Sequence, residues 1–97
     1  MIEDKKLIKF YLRLTRRKKE VVELVSQGYS NDGVAERLYI SSGVVAEHLS
    51  DIFGDLASHE ELAQFKPNRQ LVTSLFAPFF DRHPEMKNDS LQTTLGG

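Results

Sequence analysis

Apolar residues recur along this chain at helical rather than strand spacing. Leu7, Phe10, Tyr11 and Leu14 stand at i, i+3, i+4 and i+7, with Lys5, Lys6, Lys9 and Arg13 between them. That pattern predicts a basic amphipathic helix over roughly residues 4–13. Thr15 then offers a helix cap, Val21, Val22, Leu24 and Val25 supply an apolar face, and Gly28 ends the run, giving a second helix over about 16–27. Ser30 and Asn31 can cap a short third helix with Val34, Ala35 and Leu38 inward, ending near Tyr39. After a turn at Tyr39, Ile40 and Ser41, the residues Val45, Leu49, Ile52, Phe53 and Leu56 keep one apolar face from Ser42 onward. Gly43, Ala46, Glu47, Ser50 and Gly54 are left facing outward.

A last apolar stripe runs through Leu71, Val72, Leu75, Phe76, Phe79 and Phe80, and Pro78 predicts that its helix, about 68–77, ends or kinks near Ala77. From Asp81 the composition turns polar, and Leu95, Gly96 and Gly97 offer little to pack, so a flexible tail is expected over 81–97. No repeat and no strand alternation interrupts this pattern. The expected class is all-α, a bundle of four to five helices. Its parts are an N-terminal basic helix (1–14), a helical domain (15–80) and the tail.

The 97 residues, 40% apolar, suffice for one small core and no second domain. Neither a membrane-spanning run nor a signal peptide is present, which predicts a cytoplasmic protein. The absence of cysteine removes disulfides and thiolate metal sites, and His48, His59 and His83 lack ligand spacing, so no metal or cofactor is expected. No nucleophile or general base has an identifiable partner, and an enzyme is not expected.

Charge changes the picture more than composition does. The net charge of −1 hides eight cations (Lys5, Lys6, Lys9, Arg13, Arg16, Arg17, Lys18 and Lys19) against only Glu3 and Asp4 in residues 1–19, while no Lys or Arg occurs between Tyr39 and Phe65. A polyanion would be drawn to one end of the chain. The other reading of such a run is the solvated face of a helix. Four cations opening the second helix oppose its macrodipole; binding an anion is one reason for them, and a solvated face whose cost screening keeps small is the other.

Leu14-Thr15-x-Arg17, Glu20-Val21, Gly28-Tyr29-Ser30-Asn31, Val34-Ala35-x-x-Leu38, Ile40-Ser41, Val45, His48 and Ile52-x-x-x-Leu56 together resemble the LuxR/GerE-type helix-turn-helix of bacterial transcription regulators. The resemblance spans Thr15 to Leu56. It implies a four-helix domain whose third helix enters the major groove of double-stranded DNA, with the fourth often making a dimer contact. Here that places base reading on Ser42, Gly43, Ala46, Glu47 and Ser50, and a dimer contact on Leu71, Val72, Leu75 and Phe76. Phosphate contacts would fall to Arg16, Arg17, Lys18 and Lys19, and to Ser30, Asn31 and Ser41 at helix N-termini; plain capping is the alternative for the serines.

The chain departs from the family where cations are usual. The reading segment Ser42–Leu56 holds Glu47, Asp51 and Asp55 and no Lys or Arg, although phosphate neutralisation supplies most non-specific DNA affinity. Three functions therefore compete. The first is a small homodimeric DNA-binding regulator. The second is a degenerate helix-turn-helix that binds another transcription regulator as an antagonist. The third is a helical module docking through Phe76, Phe79 and Phe80. If Lys5, Lys6, Lys9 and Arg13 lie on the side of Gly43, Glu47 and Ser50, a composite DNA surface is plausible; if they point away, the second function gains.

Overall fold

The computed structural model describes residues 2–92, and the expectation for Leu95, Gly96 and Gly97 falls outside them. Among the described residues every regular element is helical: α1 (Asp4–Arg13), α2 (Arg16–Ser26), α3 (Asn31–Leu38), α4 (Ser42–Ala57), α5 (Arg69–Arg82) and α6 (Asp89–Gln92), with 3-10 turns at Glu60–Leu62 and Pro84–Met86. The all-α class is as expected, with more elements than the four to five helices anticipated.

Local chemistry sets the helix starts. The side-chain oxygens of Thr15, Ser30, Ser41 and Asn68 accept from the backbone N–H of Lys18, Gly33, Val44 and Leu71, each satisfying a donor that the first turn leaves free. α2 stops at Gly28, whose φ of 97° lets Tyr29 N–H reach Leu24 O at 3.2 Å and Gly28 N–H reach Val25 O at 2.9 Å. α3 stops on a left-handed residue as well, but there it is Tyr39, with φ 57° and ψ 44°. Tyrosine carries the Cβ penalty that glycine avoids.

α2 is the central element. Glu20 to Val25 are all buried, so the helix is enclosed rather than one-sided, with α5 as its main neighbour and α3 and α4 on its other flank. α1 closes the core by setting Leu7, Phe10, Tyr11 and Leu14 inward. Tyr11 meets Phe79 and Phe80 at centroid separations of 5.3 and 5.4 Å, and Phe76 at 6.0 Å. Such tilted and edge-on pairs add to simple area burial.

This packing corrects two expectations. Leu71, Val72, Leu75 and Phe76, anticipated as a dimer contact, are buried inside the chain, as are Phe79 and Phe80 of the docking reading. An apolar stripe must be covered, and here α1 and α2 cover it. Pro78 does not end the helix: α5 runs on to Arg82. Pro78 and Ser74 are both exposed, so the lost hydrogen bond lies on the solvent side of the helix, while Phe79 and Phe80 gain burial one step further.

The expectation of a flexible tail is corrected for residues 81–92. Tyr11 Oη donates to Met86 O at 2.9 Å, and Asn88 donates to the Glu23 carboxylate through its backbone N–H at 2.7 Å and its side-chain amide at 2.8 Å. Glu23 is fully buried, and Gln27 donates to its other oxygen at 3.2 Å. A buried carboxylate needs such donors. On the opposite side, Arg82 and His83 bind the Asp4 carboxylate, each at 2.7 Å, tying the start of α1 to the end of α5. The Arg82 hydrogen bond, then that of His83, holds the Asp4 carboxyl below its ordinary range.

Candidate nucleic-acid interface

α4 buries Val45, Leu49, Ile52 and Leu56 and leaves Ser42, Gly43, Ala46, Glu47 and Ser50 exposed along its opposite side. Two of its outward residues are glycines that the packing of this chain does not require. A Cβ at Gly54 would meet nothing within 4 Å, and at Gly43 only Ser41 Oγ at 3.8 Å. Glycine inside a helix costs roughly 0.5–1 kcal/mol relative to alanine.

One acid of α4 is answered from a neighbouring helix. Lys18 Nζ stands 3.5 Å from Asp51 Oδ2. Lys6, Lys9, Arg13 and Lys18 share a depression with Asp55, Ser58 and His59, at the far end of α4 from Gly43. Lys6 pairs with Glu61 beyond this helix, a contact that raises the lysine pKa and lowers that of the carboxyl. The α1 cations therefore gather at the C-terminal half of α4, and Lys5 is not among them. Among the described residues Glu47 has no ion-pair partner.

The block Arg16 to Lys19 disperses, because successive helix positions turn by about 100°. Arg16 and Arg17 reach Glu20 at 3.9 and 3.0 Å, Lys18 reaches Asp51, and the Lys19 ammonium lies 5.6 Å from the centroid of the Tyr11 ring. Arg16 nevertheless keeps 84% of its side chain exposed. It borders a second depression with Arg17, Arg37, Tyr39 and Leu91. Tyr39 is 95% exposed there.

Ser30 and Ser41 both act as caps, at 3.1 and 3.2 Å from Gly33 N and Val44 N. The Asn31 Oδ1 accepts from Arg69, which also donates to Tyr29 O. Arg37 lies 4.4 Å from the Tyr29 ring centroid. The sequence pattern places Tyr39 at a helix end but gives no contact role to it, to Arg37 or to Arg69. Arg69 reaches across 38 residues to Asn31, which no local pattern encodes. The unusual feature of Tyr39 was legible only as a non-glycine residue at a helix end.

Among the described residues no group of three or more His, Cys, Asp or Glu could hold a metal ion, and no helix is long and apolar enough to cross a membrane.

The sequence profile of the luxR family of bacterial regulatory proteins matches residues 12–63. The chain is similar to the transcriptional regulatory protein DegU of Brevibacillus brevis, with 51% identity over 39 residues, covering 40% of this chain and 16% of DegU. It is also similar to the oxygen regulatory protein NreC of Staphylococcus haemolyticus, with 33% identity over 61 residues, covering 61% of this chain and 28% of NreC. It thus spans less than a third of the length of either relative. No solved structure gives a significant match.

Proposed function

The chain belongs to the luxR family of bacterial regulatory proteins, and on that premise we propose that it is a small transcription regulator that reads duplex DNA through α4. One observation carries the reading. In the exposed row Ser42, Gly43, Ala46, Glu47 and Ser50 all but Glu47 are small enough for close approach, and a side chain at Gly43 or Gly54 would meet no obstacle within the chain. Glu47 can accept from cytosine N4, and Ser42 and Ser50 can meet several base edges.

Backbone grip falls first to Arg16, the most exposed cation at the start of α2, with Arg17 beside it. Lys18, Lys19, Ser30, Asn31 and Ser41 belong to the same proposed footprint, each already holding an internal partner that it would share or exchange. The protein would act in the cytoplasm as a homodimer on a two-fold site, through a face other than the buried stripe at Leu71 to Phe76.

A second reading rests on Glu47 and on the lack of any Lys or Arg in α4. It is a protein-interaction module that antagonises a related regulator. Selection from a random duplex pool at low salt, followed by affinity against salt concentration, separates the two. Enrichment of a two-fold motif with a steep salt slope supports the DNA-reading homodimer. No enrichment at low salt removes it in favour of the antagonist.

A further inference from the structure

The depression between α1, the start of α2 and the end of α4 encloses about 340 Å³, within the size range of small-molecule sites. Lys6, Lys9, Arg13 and Lys18 line it against a single carboxylate, Asp55. Lys6 and Lys18 already face Glu61 and Asp51, but Lys9 and Arg13 have no ion-pair partner among the described residues. They stand one helical turn apart on α1, both exposed. α2 opens onto the same space at Thr15 and carries no acid in its first turn, so its dipole adds to the positive field. Phe10, edge-on to His59 at a centroid separation of 5.4 Å, supplies an apolar wall.

We propose that this depression binds a small anion carrying adjoining phosphate groups, held between Lys9 and Arg13 and the N-terminus of α2. The shape decides between a compact ligand and a long one. Glu61 and Asp51 hold Lys6 and Lys18, so an extended polyanion would meet these carboxylates as well, whereas a compact diphosphate at Lys9 and Arg13 meets Asp55 as the one acid of the lining. Such a ligand would bridge α1 and the start of α2. The site stands whether or not α4 reads DNA.

The test is calorimetric titration of the full chain with inorganic pyrophosphate at low salt. One saturable site is expected, with affinity lowered about tenfold or more in Lys9→Glu/Arg13→Glu, equivalent to a free-energy change of about 1.4 kcal/mol. Lys5→Glu/Lys66→Glu changes the net charge equally but lies outside the depression, and is expected to bind within about twofold of the parent. Lys9→Gln/Arg13→Gln provides the same comparison should the glutamates disturb folding, and is also expected to bind more weakly. Absence of saturation in the parent would overturn the proposal. So would equal loss in the inside and outside pairs, which would mark a diffuse charge effect.

Discussion

The Lys18 ammonium stands 3.5 Å from the Asp51 carboxylate, so a cation of α2 compensates an acid on the exposed side of α4. The positive charge that α4 itself lacks is in part supplied by α2, where Lys18 is held by an acid of α4. Asp51→Asn should free Lys18 and remove one repulsive charge. Duplex affinity is expected to rise about three- to tenfold at low salt, with a salt slope steeper by roughly one. Stability should change little, since an exposed pair contributes about 0–1 kcal/mol. Mobility-shift titrations across salt concentrations check this, and unchanged affinity would show that Asp51 does not oppose the duplex.

Arg16 and Arg17 are separable. Arg16→Ala should weaken binding to all duplex sequences alike and lower the salt slope by roughly one, leaving stability intact. Arg17→Ala removes the 3.0 Å partner of the buried Glu20 carboxylate and should cost about 1–3 kcal/mol of stability. Denaturant melts beside the binding curves distinguish the two; equal stability losses would contradict the assigned geometry.

Asn88→Ala should destabilise the fold by about 1.5–3 kcal/mol, because the amide donates to the buried Glu23 carboxylate at 2.8 Å. The backbone N–H of residue 88 remains, so the loss should fall short of removing the segment altogether. Urea unfolding measures both. A neutral Asn88→Ala would show that Glu23 is satisfied without the side chain.

At Tyr39 the backbone is left-handed and the side chain almost wholly exposed. Tyr39→Gly should therefore stabilise the protein by about 0.5–1 kcal/mol, and Tyr39→Val should destabilise it. Thermal midpoints in opposite directions confirm strain at this turn. A lower midpoint for the glycine variant would instead assign the tyrosine ring a packing role.

Burial pushes the Tyr11 phenol up to about 12. An unfolded tyrosine ionises near ~10, so the folded state holds this proton more tightly. The resulting stability is complete below about pH 10 and is lost as pH rises from there toward 12. Absorbance at 295 nm should show a late-titrating phenol that Tyr11→Phe removes. That variant should also show a flatter alkaline stability profile, while losing the hydrogen bond to Met86 O.

Much of the helix-turn-helix was legible because its signals are local. Thr15, Ser30 and Ser41 cap the helices they were expected to open, and Gly28 ends α2. The remainder depended on what lies opposite. Whether the Leu71 to Phe76 stripe faces its own chain or another cannot be read from periodicity, and α1 and α2 proved to occupy it. Pro78 marks a lost hydrogen bond, but the cost depends on whether Ser74 O meets water. The polar run after Asp81 reads as a tail until Glu23 and Glu20 are seen to be buried 65 and 70 residues away from the groups that reach them. The cation block Arg16 to Lys19 reads as one site, yet a helix turns its members toward different neighbours.

The enclosure of α2 makes the segment with the helix-turn-helix pattern poorly transplantable. Grafting Thr15 to Leu56 onto another protein would strip away α1 and α5, leaving the covered side of α2 wet and Glu23 without Asn88. The portable unit is the whole of residues 4–92, in which α1, α5 and the last turns serve as the housing that a graft must bring with it.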